Sequence, residues 1–261
     1  MRKLLVIAIA LGLPLLADDR DKETLSTTHT ERFVVPAAGA IRLENSFGEV
    51  DIDGWDRPEV ELTVIRWSEH LYGANDRAEA LQRLDSVQVA AKQDGNDVVI
   101  STAYRGRNSL LHPLSRRSDI RIGYRVKAPH GSKLIVDHNS GGLNVSNIGG
   151  DIRATVINGQ ITLALGADGQ FAIDAQCKIG SVYSDFEGSG RSLHVLSEKF
   201  GRQSAPPTTN LHLRVRIGDI VILKIQGSSA GEPSDLQHVV FPRDHRVENG
   251  RQENRQQQPG Q

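Results

Sequence analysis

The chain has 261 residues, 38% of them hydrophobic, and its 31 basic and 32 acidic side chains leave a formal net charge of −1. This balance argues against a nucleic-acid-binding protein, in which we expect a strong basic excess or a basic stripe. The single cysteine, Cys177, excludes an intramolecular disulfide and a cysteine-based metal site. We expect it to be a small buried apolar residue.

Residues 1–17 have the pattern of a secretion signal: a positive start, an apolar core from Leu4 to Leu16, and a small residue before two aspartates. The apolar run is short for a membrane span, and an uncleaved N-terminal anchor is the alternative. Residues 18–32 are polar and are expected to form a flexible segment. We therefore expect an exported protein, in the periplasm, at the cell surface or outside the cell. No transmembrane span is expected after signal removal.

Alternating apolar residues begin at Phe33 and open the predicted folded domain, residues 33–227. The segment GEVDIDGW, from Gly48 to Trp55, has a glycine followed by alternating apolar residues, a form that recurs later in the chain. It predicts a first repeat unit that precedes an insertion. Within the insertion we expect antiparallel strands and one short helix. The strands are Val60–Trp67, Val87–Gln93 and Val98–Tyr104, and the helix runs from about Asn75 to Leu84, with Ala78, Leu81 and Leu84 on its apolar face.

A basic loop follows the insertion and leads into a strand from Asp119 to Ala128. Clustered loop cations are candidates for contact with an anionic surface, such as an envelope glycan or lipid headgroups. Ordinary solvated loop charge is the alternative interpretation. The candidate residues are Arg105, Arg107, Arg116 and Arg117.

Three consecutive segments of equal length, 132–150, 151–169 and 170–188, each end on a glycine and carry a second glycine near the middle. Short alternating apolar strands lie between these glycines, a period typical of repeat architectures. If each unit lies on the next, residues two apart share a face. The expected inward column is Ile135, Ala154 and Ile173; the expected turn column is Asn139, Asn158 and Cys177.

Two architectures fit these units: a β-solenoid, and an antiparallel meander with a hairpin turn at Asn158-Gly159. The constant period favours the solenoid, although Leu134 and Val136 would then face outward and need cover from the insertion and its helix. The final strand pair, within 211–225, is expected to cap the stack because an open sheet edge invites aggregation. Residues 228–261 have the composition of a disordered polar tail.

The predicted fold is therefore all-β: a right-handed β-solenoid-like stack of short strands with an N-terminal antiparallel β insertion that carries one short helix. Its outer strand face is a second candidate binding surface, for polysaccharide or another protein, although the ordinary exterior of a solenoid would look similar. The candidate residues on it are Asn144, Arg153, Thr155, Thr162 and Tyr183.

Enzymatic activity has little support in the sequence. No HExxH, GxSxG, P-loop or dinucleotide motif is present. Glycoside hydrolysis needs two suitably spaced carboxylates, for which Asp151, Asp174 and Asp185 are conceivable, but aspartate beside glycine is ordinary turn chemistry. His138 and Asp137 are adjacent on a strand and so point to opposite faces. We predict no catalytic residue, cofactor or metal.

Two stretches of the chain resemble the bacterial putative-adhesin family of β-strand-repeat envelope proteins. They are IRLENSFGEVDIDGWDRPEVEL, from Ile41, and YRVKAPHGSKLIVDHNSGGLNVSNIGGDIRATVINGQITL, from Tyr124. The resemblance extends over nearly the whole folded domain, and its motifs consist of turns and stacking positions. It implies an exported, non-enzymatic β-solenoid and supplies no catalytic residues.

The function predicted from the sequence is thus a non-enzymatic adhesive or structural binding module of the bacterial cell envelope. Its expected partner is envelope polysaccharide or another envelope protein, and nucleic acid is not expected. A scaffold or regulator of an envelope membrane protein, of the envelope-stress type, is the alternative. A polysaccharide-active β-helix enzyme is a more distant one.

Overall fold

The computed structural model describes residues 23–35, 39–73, 75–104, 120–194, 196–203 and 209–225. All of these belong to one compact unit. The predicted signal at residues 1–17, the four loop arginines and the predicted tail at residues 228–261 lie outside the described residues. Within the described ranges, no helix combines the length and the apolar character needed to cross a membrane.

The described chain is mostly β-strand with a single helix, as the sequence predicted, and its strands form one large mixed sheet that is not closed. Helix α1 is Arg77–Leu84. The strands are β1 (Glu23–Val34), β2 (Ala40–Phe47), β3 (Glu49–Trp55), β4 (Glu59–Tyr72), β5 (Val87–Asp94), β6 (Asp97–Tyr104), β7 (Ile120–Pro129), β8 (Lys133–Ser146), β9 (Ile152–Gly166), β10 (Phe171–Ile179), β11 (Val182–Ser184), β12 (Ser189–His194), β13 (Ser197–Arg202), β14 (Thr209–Ile217) and β15 (Ile220–Ile225).

The first two repeat units lie side by side in parallel. Strands β8 and β9 pair along their whole length, and both run through their middle glycines, Gly141 and Gly159. Asn158-Gly159 is therefore not a hairpin turn, and the antiparallel meander is wrong for these units. On the other side of β8, strands β2 and β3 pair in parallel with its two halves. This confirms that a first unit, around Gly48, precedes the insertion.

The register between β8 and β9 differs by one residue from the expected one. Ile135 pairs with Arg153, and Val136 pairs with Ala154. A slip of one residue exchanges the two faces of a strand, so Leu134 and Val136 are buried and the predicted column through Ile135 is wrong.

The predicted turn column is wrong for the same reason, because Ser140 and not Asn139 lies beside Asn158. The middle glycines set the register, since Gly141 pairs with Gly159. The end glycines Gly150 and Gly169 lie outside the strands, where an extra residue is easily accommodated.

The third unit does not lie on the second. Strands β14 and β15 separate them: Leu213 pairs in parallel with Ala154 on one side and with Ala175 on the other. The expectation that this last strand pair caps the stack is therefore wrong. The hairpin of β12 and β13 lies beyond β10 instead, with β13 pairing antiparallel to it. The chain thus passes over one position in the stack and fills it later.

The insertion and the N-terminal strand β1 build the other end of the sheet. Strand β6 pairs in parallel with β2, and β7 with β3. The predicted hairpin of β5 and β6 is present, and β4 and β1 follow β7 as antiparallel strands. Strand β1 begins at Glu23, so the flexible segment expected at residues 18–32 is wrong from that residue onward. Its polar composition reflects an antiparallel strand with few buried side chains, among them Leu25 and Phe33.

Helix α1 packs on β1 and β4 rather than on the repeat units. Its buried residues, Ala80 and Leu84, form a small apolar cluster with Leu25 of β1, whereas Ala78 is exposed. The expectation that this helix covers an apolar outer face of the repeats is wrong. Such cover is not needed, because Leu134 and Val136 face the core.

Candidate functional site

A column of glycines positions the exposed surfaces of the repeat. Gly48, Gly141, Gly159, Gly218 and Gly180 all have positive φ, a backbone conformation that favours glycine. A Cβ on each of the last four would overlap the backbone carbonyl of the glycine before it in this order. These glycines therefore lie against one another, one for each layer of the stack.

The glycine column divides each layer into two strand halves with different outer surfaces. Leu134 and Val136 precede Gly141 in β8 and Leu143 and Val145 follow it, and all four belong to one apolar core. Leu134 and Leu143 are an odd number of positions apart, so on a straight strand they would point to opposite faces. Because both enter the same core, the chain bends at Gly141 and the outward residues of the two halves lie on different surfaces.

The predicted strand-face residues are accordingly split into two groups. Arg153 and Thr155 precede Gly159 and are exposed. Asn144, Thr162 and Tyr183 belong to the second strand halves, where Asn144 and Thr162 are half-buried. Asn144 Nδ2 donates a hydrogen bond to Asp51 Oδ1 at 2.9 Å, and the Tyr183 hydroxyl donates to Asp185 Oδ1 at 2.8 Å. The structure does not bring these five residues together.

Around Arg153 and Thr155 the first strand halves form a different site, rich in cations. In one row Arg153 lies beside His212, which lies beside Asp174. In the next row Thr155, Arg214, Gln176, Lys199 and Arg191 follow one another across five strands. We call this surface the basic face; its cationic residues are Arg153, Lys178, Arg191, Lys199, Arg214 and Arg216.

Asp174 is the carboxylate at the centre of the basic face. Arg214 Nη2 donates a hydrogen bond to its Oδ2 at 2.5 Å, Lys199 Nζ lies 3.3 Å from Oδ1, and His212 Nδ1 lies 3.3 Å from Oδ2. Partial burial raises the pKa of Asp174, but the hydrogen bonds and charges of Arg214 and Lys199 outweigh it and hold the pKa below its usual value. Asp174 is therefore ionised and holds its basic neighbours in place.

His212 lies between Arg153 and Asp174, among charges of both signs. Burial lowers its pKa, and the nearby charges of Arg214 and Arg153 lower it further, against the opposing effect of Asp174. A second carboxylate, the exposed Asp137 of β8, lies on the same surface beside Thr155.

Four exposed cations of the basic face make no ion pair with another described residue. They are Arg153, Lys178, Arg191 and Arg216. Next to two of them lie exposed aliphatic residues: Ile179 follows Lys178 and is 46% exposed, and Ile217 follows Arg216 and is 45% exposed. Ile217 and Ile179 pair across β14 and β10. Ile157 of β9, 43% exposed, directly precedes Asn158, the residue that pairs with Ile217. The three isoleucines lie near the ends of the first strand halves, at one edge of the basic face, and we call them the aliphatic ridge.

The carboxylates considered for catalysis are engaged in structural contacts. Asp151 Oδ1 accepts hydrogen bonds from the backbone and side-chain nitrogens of Asn210, at 2.8 and 3.1 Å. Asp185 accepts from the Lys224 backbone N–H at 3.0 Å and from Tyr183. These bonds, the Lys224 bond first, lower the pKa of Asp185. All three aspartates have structural roles.

An open depression beside β10 and β13 contains Asp174 and Glu187 together with Lys199 and Arg202. Two carboxylates near a cation resemble a hydrolase site in composition. A glycosidase needs one carboxyl that donates a proton and one that is ionised. The lowered pKa of Asp174 fits only the ionised role, and its carboxylate is already bound to Arg214 and Lys199. Among the described residues, no three His, Cys, Asp or Glu side chains are arranged to hold a metal ion.

Two titratable residues, Cys177 and His138, are buried in the core. Cys177 is buried as predicted, its thiol donates to the Ser181 carbonyl at 3.2 Å, and burial raises its pKa to about 12. His138 is also buried, whereas Asp137 is exposed, so the expected opposite orientation of these neighbours is confirmed. Burial lowers the pKa of His138 to about 4. Neither residue is available to a ligand at the surface.

Sequence reasoning identified two members of the basic face, Arg153 and Thr155, but missed its centre. The missed residues are Asp174 as an ion-pair partner, Lys199, His212 and Arg214. The alternation of HLRVR from His212 to Arg216 signals an outward basic strand edge. Its place beside Arg153 depends on the insertion of β14 between β9 and β10.

No protein-family model and no curated protein matches the sequence. Among solved structures, the chain is similar to a putative cell adhesion protein from Clostridium sporogenes, at 12% identity and a TM-score of 0.43, over 75% of this chain and 99% of that one. It is also similar to a putative adhesin from Bacteroides fragilis, at 10% identity and a TM-score of 0.30, over 76% of this chain and 97% of that one. A putative adhesin from Parabacteroides merdae is similar at 8% identity and a TM-score of 0.22, over 60% and 68%.

Similar structures thus carry the adhesin name that the sequence resemblance suggested. At these identities and TM-scores the likeness does not determine an activity or a ligand.

Proposed function

We propose that this chain is an exported, non-enzymatic adhesive or structural binding module of the bacterial cell envelope, and that it binds through the basic face. The observation that carries this proposal is the contrast between the two kinds of charge. The candidate catalytic aspartates are used in internal contacts, whereas four cations on one ordered strand surface make no ion pair with another described residue.

In this proposal the fold is a β-solenoid-like stack that serves as a rigid support. The parallel pairing of β2 and β3 with β8, of β8 with β9, and of β9 with β14 and β15 supports it. So does the glycine column, which recurs once in each layer. A surface that is already ordered loses little conformational entropy when it binds. The four loop arginines, which lie outside the described residues, are the alternative contact to the basic face, and variants of the two surfaces distinguish them.

Retention on envelope material tests this function. The purified chain is passed over cell-wall glycan and over membrane fractions, together with two variants that each lose three positive charges. One replaces Arg153, Lys178 and Arg216 by Gln, and the other replaces Arg105, Arg107 and Arg116 by Gln. We expect retention of the parent chain and of the loop variant, and loss of retention for the face variant. Absence of retention on every fraction would contradict a binding role.

Cell fractionation tests the proposed address independently. We expect the chain in the periplasmic, surface or external fraction. Recovery from the cytoplasm alone would contradict export.

A further inference from the structure

We propose that the basic face, with the aliphatic ridge at its edge, docks onto the surface of an anionic lipid bilayer. This inference rests on the proposed binding function and names its partner. The ridge consists of Ile157, Ile179 and Ile217.

The arrangement of charge fits a flat, extended anionic surface better than a compact anion. The cations occupy neighbouring strands, which lie about 4.8 Å apart, and they extend from Arg153 on β9 to Arg191 on β12. A small anion needs several donors that converge on one point, whereas here the outward side chains stand side by side. A bilayer rich in anionic lipids attracts such a surface through many headgroups at once.

The aliphatic ridge distinguishes a bilayer from an acidic polysaccharide. Ile179 and Ile217 lie beside each other. They follow Lys178 and Arg216 at the ends of their strand halves, where the alternation of buried and exposed residues stops and both neighbours are exposed. Cations that meet phosphates while adjacent aliphatic groups enter the boundary between headgroups and acyl chains give an interfacial membrane contact. A hydrated polyanion gains nothing from exposed isoleucines. Sugar rings favour aromatic platforms, and none of the described outward residues of the basic face is a Phe, Tyr or Trp.

Asp174 contributes by holding its cationic neighbours. It binds Arg214 and Lys199 at the centre of the basic face and leaves the peripheral cations unpaired. The side chains at the centre are therefore fixed before binding, and little rotamer entropy remains to be lost there. The cost of ordering falls on the peripheral side chains alone.

Vesicle co-sedimentation tests the proposal directly, using the full chain. The vesicles are either phosphatidylcholine alone or phosphatidylcholine with phosphatidylglycerol. Binding is expected only to the anionic vesicles and is expected to weaken as salt shortens the Debye length from about 10 Å at 0.1 M to about 3 Å at 1 M. The variant with Arg153, Lys178 and Arg216 replaced by Gln is expected to bind roughly 100-fold more weakly at low salt.

The matched control replaces Arg105, Arg107 and Arg116 by Gln, which removes the same number of positive charges from the loop. It is expected to bind as the parent chain does. Equal loss of binding in both variants, or loss in the loop variant alone, would overturn the proposal. Circular dichroism and thermal melting establish that each variant is folded.

A second variant isolates the ridge: Ile157→Thr with Ile217→Thr, which keeps β-branched residues at exposed strand positions. At high salt, its affinity for the anionic vesicles is expected to be about 10-fold lower than that of the parent chain. Unchanged vesicle binding would contradict the apolar contact. Binding to a soluble acidic polysaccharide that depends on the cations but not on Ile157 and Ile217, without vesicle binding, would assign the face to a glycan. Retention on envelope fractions without vesicle binding would leave the binding function standing and reject the bilayer.

Discussion

Gly218 lies directly against Gly159, although β10, β11 and the hairpin of β12 and β13 separate the two glycines in the sequence. Both have positive φ. A Cβ on Gly218 would overlap the carbonyl group of Gly159, and one on Gly159 would overlap that of Gly141. The column thus joins layers that the order of the sequence would not place together.

Alanine substitution tests this column. Gly159→Ala is expected to lower the free energy of unfolding by at least about 2 kcal/mol, because it adds backbone strain at positive φ and a clash with a backbone atom that cannot move away. Gly166→Ala, in the same strand but with no atom near its would-be Cβ, is the matched control. It is expected to change stability by no more than about 0.5 kcal/mol. Urea unfolding followed by circular dichroism measures both, and equal effects would contradict the column.

Engineered disulfides test the order of the layers. Val221 lies between Thr162 and Tyr183 in neighbouring strands. Neighbouring strands are about 4.8 Å apart, within the roughly 7 Å limit between Cα atoms for a disulfide. We therefore expect Thr162→Cys with Val221→Cys to cross-link, and Thr162→Cys with Tyr183→Cys not to. Mass spectrometry under non-reducing conditions distinguishes them, and the reverse result would restore the consecutive order.

The all-β fold class and the parallel repeat could be predicted from the sequence, but the order of the layers could not. Middle glycines and alternating apolar residues were sufficient to identify units at Gly48, Gly141 and Gly159, because these features are local. Which unit lies beside which depends on pairing between distant segments. The alternating pattern of β14 is compatible with the edge of the stack and with its interior, so the position of Gly218 between two other glycines was not accessible.

Buried His138 makes stability depend on pH. Its pKa is about 4 in the folded protein, against 6.5 for the exposed side chain, because burial disfavours the charged form. The unfolded chain therefore binds a proton between these values and the folded chain does not. The free energy of unfolding is undiminished above about pH 6.5 and falls as the pH drops towards 4, by about 3 kcal/mol in total.

A variant separates this effect from other titrations. In His138→Leu, whatever its stability at pH 7, this part of the pH dependence is expected to disappear, while the contribution of all other groups remains. Urea unfolding of both proteins from pH 7.5 to 4 gives the difference in slope. Identical slopes would show that His138 does not carry the effect. Ser46, whose hydroxyl lies 2.8 Å from His138 Nδ1, loses its partner in this variant, which lowers stability equally at every pH.

A buried hydrogen bond joins β6 and β7 within the core. The oxygen atoms of Tyr124 and Thr102 are 2.7 Å apart, and both residues are buried. Tyr124→Phe leaves the threonine hydroxyl without this partner and is expected to cost about 1–2 kcal/mol. The double variant with Thr102→Val is expected to recover part of that loss, because no polar atom of the pair then remains unsatisfied. Additive losses in the thermodynamic cycle would contradict coupling between the two residues.

The candidate site was less accessible from the sequence than the fold. Arg153 and Thr155 were found because alternation alone places them outward. Asn144, Thr162 and Tyr183 were grouped with them because the sequence does not show that the chain turns at the middle glycine. Lys199 and Arg214 come close to Arg153 only through the pairing of β13 with β10 and of β14 with β9, and their contact with Asp174 follows from that arrangement.

The skipped position in the stack has a consequence for the newly made chain. Strands β9 and β10 leave the ribosome, or cross a membrane, before the segment that fits between them exists. Until β14 and β15 are made, the backbone donors and acceptors along one side of β9 and along one side of β10 have no partner strand. Exposed edges of this kind favour association between copies. A chain that ends before Thr209 would retain those two open edges permanently, so complete synthesis of the last strand pair protects the protein from joining to itself.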